Sequence, residues 1–242
     1  MRTIRIYQAQ TLALHQTIHL DESAGNHVFK VLRLQAGALL TLFNGDNHEY
    51  QAVIETAHKK GVSVRITAIA LATRESPLSF HLVQGIARGE KMEWIIQKAV
   101  ELGVTEITPL FTEFSNVKLQ GERLDKKQNH WQRIAISACE QCERNVVPTV
   151  HEPMAYPDWI ARHKPELGLI LHPYQSQSIA ELPETAETVT LLVGPEGGFS
   201  DKEVAMALQQ NFTALALGPR ILRTETAPLV ALSILQARWG DI

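Results

Sequence analysis

The chain has 242 residues, 45% of them hydrophobic, enough for a sizeable core in one or two domains. Its 23 Lys and Arg against 26 Asp and Glu give a formal net charge of −3, which excludes a protein that coats nucleic acid through bulk positive charge, though not one with a local basic face. Charged residues at 20%, with 14 Gly and 11 Pro, exclude a disordered chain. No apolar run approaches the roughly 18 residues of a membrane span. The basic start Met1-Arg2-Thr3-Ile4-Arg5 runs into Gln8, Gln10, His15 and Gln16, which does not read as a signal peptide. Two cysteines make no disulfide framework, so a reducing cytoplasm is the expected location.

Residues 1–72 read as mostly β. A short helix is expected between Asp21 and Gly37, carrying Lys30 and Arg33. The apolar run 39–43 meets the turn residues Asn44-Gly45-Asp46-Asn47, and period-2 alternation follows over 50–55 and, after Lys59-Lys60-Gly61, over 62–68. Short strands at this spacing suggest a small barrel. This segment carries seven Lys or Arg against five Asp or Glu, so the basic character lies in the smaller domain. Arg74-Glu75-Ser76-Pro77 reads as a linker, which divides the chain into domains 1–72 and 73–242.

Beyond the linker, strands alternate with helices, the pattern of a parallel sheet covered on both faces. Strands are expected over 80–86, 104–110, 167–171, 189–193 and 214–217. Met92, Ile95, Ile96, Ala99 and Val100 form one helical stripe that Gly103 can stop. Trp131, Ile134, Ala135, Ala138, Cys139 and Cys142 form a second. Ser200-Asp201-Lys202-Glu203 is a capping box, and a last helix from about Pro228 to Trp239 is apolar almost all round.

Cys139-Glu140-Gln141-Cys142 lies late in a helix, on its apolar stripe, whereas a redox pair opens one; core packing is the better reading. No second Cys pair and no His-Glu-x-x-His motif are present, so no metal is expected. Phosphate-loop, dinucleotide-fingerprint and nucleophile-elbow motifs are absent as well. Three strand ends stand out instead. They run into His172-Pro173-Tyr174, into Gly194-Pro195-Glu196-Gly197-Gly198-Phe199-Ser200, and into Gly218-Pro219-Arg220-Ile221-Leu222-Arg223-Thr224-Glu225-Thr226. In an open α/β sheet ligands sit beyond the carboxyl ends of strands, so three such loops build one crevice. Glu196 and Glu225 place carboxylates there, which disfavours phosphate and suits hydroxyls, an ammonium or a sulfonium.

These loops resemble those of the RsmE-type methyltransferases of the SPOUT superfamily. Arg88-Gly89-Glu90-Lys91-Met92-Glu93, Gln97 to Gly103, and Glu140-Gln141 with Arg144 and Val147-Pro148 are similar to the family as well. Near the start, Arg5-Ile6-Tyr7, Asn26-His27-Val28 and Leu32-Arg33 carry the same resemblance. It covers nearly the whole chain. It departs at Phe114, where the family often has Arg, and at Glu143, where it usually has Gly.

The resemblance implies a PUA-like barrel followed by an α/β domain with a C-terminal trefoil knot, acting as a homodimer. It implies methylation of N3 of a uridine in 16S ribosomal RNA of the small subunit, with S-adenosylmethionine as cofactor and neither metal nor membrane involved. Cofactor binding is thereby assigned to His172, Gly194, Glu196, Gly197, Leu217, Gly218, Ile221, Leu222 and Thr226. The chemistry needs charge stabilisation at the uridine oxygens, assigned to Arg144 or Arg223, and management of the N3 proton, for which Glu225 is the candidate. Arg5, Lys30, Arg33, Arg88 and Lys91 are the expected RNA contacts. Two other readings stay open: a different RNA position or a ribose 2′-hydroxyl, and a non-catalytic assembly factor with a vestigial cofactor site.

Overall fold

The computed structural model describes residues 4–115, 120–174 and 176–242; the first three residues of the basic N-terminus lie outside that range. Contacts divide the chain into two units. The first runs to Glu75 and takes in Cys139–Val147, and the second comprises Ser76–Ala138 and Pro148–Ile242. The segment Cys139–Val147, which the sequence pattern groups with the larger domain, thus packs with the first unit.

In the first unit the runs at 39–43, 50–55 and 62–68 become strands β3 (Leu39–Phe43), β4 (His48–His58) and β5 (Gly61–Leu71). With β1 (Ile4–Tyr7) and β2 (Thr17–His19) they form a five-stranded sheet in the order β1-β3-β4-β5-β2. Alternation sets the burial: Leu40 and Leu42, Tyr50, Ala52 and Ile54, and Val62, Val64 and Ile66 all enter one apolar cluster. The β3–β4 turn uses Gly45 and Asn47 at positive φ, and the Tyr50 hydroxyl donates to Asp46 Oδ2 at 2.5 Å. Of the helix expected there, α1 (Glu22–Asn26) is the α-helical part, capped by Asp21, whose Oδ1 accepts from Ala24 N at 2.9 Å; a single π turn, His27–Val31, continues it and carries Lys30, while Arg33 lies beyond it at φ +54°.

The second unit holds a seven-stranded parallel sheet in the order β12-β10-β11-β6-β7-β8, with β9 also on β7. Its strands are β6 (Ser79–Gly85), β7 (Glu106–Phe111), β8 (Thr149–Val150), β9 (Met154–Ala155), β10 (Leu167–Leu171), β11 (Thr188–Val193) and β12 (Phe212–Leu215). The near-continuous burial along β11 and β10 is that of strands covered on both faces. Helix α2 (Lys91–Glu101) buries the stripe read from the sequence and ends at Gly103, which has φ +86°. Helix α3 (Glu122–Cys142) buries Trp131, Ala135, Ala138 and Cys139. Burial pushes the Cys139 thiol up to about 12, the opposite of a reactive thiol. Helix α5 (Asp201–Gln209) starts at the Ser200–Glu203 capping box, and α6 (Ala227–Trp239) is the last element in chain order. Periodicity missed β8, β9 and the one-turn α4 (Tyr156–Ile160), which are too short to show a period. Among the described residues, no helix is long and apolar enough to cross a membrane.

Candidate active site

The carboxyl ends of β10, β11 and β12 lie side by side, and the three loops leaving them enclose a cavity of about 540 Å³. Glycine is required at two points of the middle loop. A Cβ on Gly194 would lie 2.8 Å from the main-chain carbon of Gly198, and one on Gly197 would lie 2.7 Å from the Phe114 Cβ. The loop therefore folds on itself and presents main chain to the cavity.

Polar contacts tie the three loops together. Thr224 Oγ1 donates to Gly194 O at 2.8 Å, and the buried Gln84 of β6 directs its Nε2 toward Gly194 O and Thr224 Oγ1, each at 3.3 Å. The β10 loop reaches both edges of β12. His172 N donates to Leu215 O on the β10 side, while Gln177 N donates to Ala214 O and Ala216 N donates to Gln177 O. Along one strand, successive residues direct these groups to opposite edges.

Eight of the nine positions assigned to the cofactor line this cavity: His172, Gly194, Glu196, Gly197, Leu217, Gly218, Ile221 and Leu222. Thr226 does not; it is an exposed residue at the N-cap of α6 and makes no side-chain cap bond. The walls also include Lys91, Arg220 and Arg223. Lys91 Nζ lies 3.3 Å from Glu196 Oε1 and 3.4 Å from Glu225 Oε2. Partial burial opposes the Glu196 charge, yet its own N–H, the Arg88 N–H at 3.1 Å and the Lys91 ammonium hold its carboxyl below the ordinary range. Glu225 Oε2 is buried with no hydrogen-bond partner among the described residues. Glu225 is not among the residues lining this cavity; with Lys91, Trp94 and Ile134 it lines a second cleft of about 490 Å³.

The other basic residues divide. Lys30, Arg33 and Arg88 are exposed. Arg5 departs from the expectation of an RNA contact. It is 8% exposed, pairs with Glu49 at 2.7 Å and Asn145 Oδ1 at 2.5 Å, and lies over the Phe43 ring, so its charge is used inside the first unit. Arg144 is also in the first unit and buried, its Nε donating to Glu75 Oε2 at 3.0 Å. Sequence reasoning missed Gln84 and Thr224. An amide inside the apolar run of β6 is the one signal that marked Gln84.

Comparison with known proteins decides the family. The RNA methyltransferase domain profile matches residues 74–236, and an RNA methyltransferase PUA domain profile matches residues 20–67. Ribosomal RNA small subunit methyltransferase E of Buchnera aphidicola (from Schizaphis graminum) is 40% identical over 242 residues, 100% of this chain and 98% of that protein. The chain belongs to the ribosomal RNA small subunit methyltransferase E family. The Bacillus subtilis member is 32% identical over 219 residues, covering 86% of this chain and 85% of that one. The crystal structure of the Neisseria gonorrhoeae member bound to S-adenosylmethionine superposes with a TM-score of 0.92 at 35% identity, covering both chains fully (100% each). A Legionella pneumophila protein, solved in complex with bound S-adenosylmethionine, has a TM-score of 0.97 at 48% identity, again over 100% of both chains.

Within the family, the two departures acquire local reasons. Glu143 follows the last turn of α3 at φ +69°, a conformation that glycine adopts without strain. Phe114 packs on Gly197, at the rim of the cofactor-side loop.

Proposed function

We propose that this methyltransferase E family member transfers a methyl group from S-adenosylmethionine to N3 of a uridine in 16S ribosomal RNA, within the small subunit. The observation that carries this reading is the convergence of eight assigned positions on one cavity at the strand ends. The cavity suits the cofactor chemically. Apolar walls from Leu171, Val193, Leu215, Leu217 and Leu222 accept an adenine ring, exposed main chain in the glycine loop offers hydrogen bonds, and Glu196 offers a carboxylate to hydroxyls or a positive centre. The bound cofactor supplies an electrophilic methyl on a sulfonium.

This chain's residues then have two tasks. The first is alignment of N3 with that methyl, worth roughly 7–11 kcal/mol in favourable cases. The loops are pre-set for it by the Gln84–Thr224–Gly194 contacts. The second is charge and proton management. Arg223 lines the cavity and is the preferred group to stabilise negative charge on the uridine oxygens, since the Arg144 guanidinium is engaged by Glu75. Glu225, beside the cavity-lining Lys91 at 3.4 Å, is the candidate proton acceptor. Lys30, Arg33 and Arg88 are the RNA phosphate contacts in this reading, and Lys91 serves the cavity instead.

We also infer a trefoil knot and a homodimer. Support for the knot comes from the β10 loop, which bonds to both edges of β12, an arrangement that a strand threaded through that loop requires. Support for the dimer comes from α6, where Leu229, Val230 and Ile234 stay half-exposed beside the buried Ala231, Leu232 and Leu235. Calorimetric titration with S-adenosylmethionine tests the site. One cofactor per chain is expected, and Gly194→Ala, whose Cβ meets main chain that cannot swing away, weakens it at least about tenfold. Undetectable binding to the unmodified protein would remove the reading.

A further inference from the structure

A second cluster lies elsewhere on the same sheet, on β6, β7 and β8. His81 near the start of β6 pairs in register with Glu106, the first residue of β7, and His151 directly follows β8, its N–H donating to Ile107 O at 2.9 Å. Each of the three offers one ligand atom, and those atoms lie within 4.8 Å of one another. His151 Nε2 is 2.7 Å from Glu106 Oε2, and His81 Nδ1 is 3.8 Å from Glu106 Oε1.

We propose that His81, Glu106 and His151 bind one zinc ion, which clips β6, β7 and β8 together. Two imidazoles and a carboxylate are a zinc ligand set that leaves a fourth position for water, and imidazole disfavours magnesium and calcium. Ligand atoms around a tetrahedral ion at 2.0–2.1 Å stand about 3.3 Å apart, so the cluster closes by small rotations. Glu106 and His151 have room for these, with side chains 41% exposed, while His81 is held at 12%.

The surroundings favour a metal over a bare ion pair. His81 Nε2 lies 2.8 Å from Thr108 Oγ1; in the tautomer that donates there, Nδ1 turns a lone pair toward Glu106. A strand as short as β8, with two residues, gains most from such a clip.

Equilibrium competition between a chromophoric zinc chelator and the chelator-stripped full chain tests this. The expected result is one zinc per chain at submicromolar affinity, weakened at least about tenfold by Glu106→Gln and by His151→Ala. The double variant Cys139→Ser/Cys142→Ser keeps the site, and zinc raises the melting temperature of that variant as of the unmodified chain. Circular dichroism and S-adenosylmethionine titration of the Glu106 and His151 variants show that they remain folded. Absence of stoichiometric binding, or zinc retained unchanged in both Glu106→Gln and His151→Ala, would overturn the proposal; so would loss of zinc in the cysteine variant alone.

Discussion

Lys91 sits between two carboxylates, 3.3 Å from Glu196, which lines the cavity with it, and 3.4 Å from Glu225, which lines the neighbouring cleft. The Glu196 carboxyl is held below its ordinary 4.5. A depressed folded pKa means that its stabilisation is present above the unfolded value and is lost as pH falls through the folded one. Cofactor affinity measured by calorimetry should therefore be flat from about pH 6 to pH 8 as far as Glu196 is concerned, and fall only in the acid range. A tenfold loss on going from pH 8 to pH 6 would show that another group controls binding. The two arginines separate by experiment. Arg223→Ala should lower single-turnover methyl transfer about 10²–10³-fold at saturating cofactor, with the fold intact. Arg144→Ala leaves Glu75 without its buried partner and should reduce the unfolding free energy by about 3 kcal/mol in urea titration. At this scale the sequence was informative about loops and poor about arginines. Gly194, Glu196 and Gly218 declare themselves in contiguous motifs, whereas the buried pairings of Arg5 with Glu49 and Arg144 with Glu75 span 44 and 69 residues.

Elements with a clear period formed where periodicity placed them. The α2 stripe, the Ser200 capping box and the apolar runs of β10 and β11 are all local signals strong enough to survive tertiary packing. The two-residue strands β8 and β9 carry no period and exist because β7 offers them a pairing edge. The same limit hid the His81–Glu106–His151 cluster, whose members are 25 and 45 residues apart and meet only through strand register. The end of α3 supplies a test at this scale. Glu143 at φ +69° carries a strain of roughly 1–2 kcal/mol, and glycine there returns about 0.4–1 kcal/mol to the unfolded chain. The exposed Glu143–Arg74 pair at 3.5 Å adds little against this. Glu143→Gly should thus raise stability by about 0.5–1 kcal/mol, read as a higher urea midpoint at unchanged slope. A lower midpoint would mean that the carboxylate matters more than its backbone.

The whole molecule combines a small sheet unit with a larger parallel-sheet unit, and the alternation of strands and helices after residue 77 made the second of these legible. Strand order was not legible, because β12 finds its place beside β10 through long-range pairing that no local pattern encodes. The β10 loop that reaches both edges of β12 is likewise a long-range arrangement that no local pattern encodes. The proposed dimer is testable by sedimentation: a mass of twice 27.0 kDa is expected, and Ile234→Glu, which puts a charge on the half-exposed face of α6, should yield monomers. A monomer in the unmodified protein at micromolar concentration would refute that assignment. The central claim concerns the reaction. Small ribosomal subunits from a strain lacking this activity, incubated with the protein and methyl-labelled S-adenosylmethionine and then digested to nucleosides, should carry the label in 3-methyluridine; label in any other nucleoside, or none despite stoichiometric cofactor binding, would contradict it.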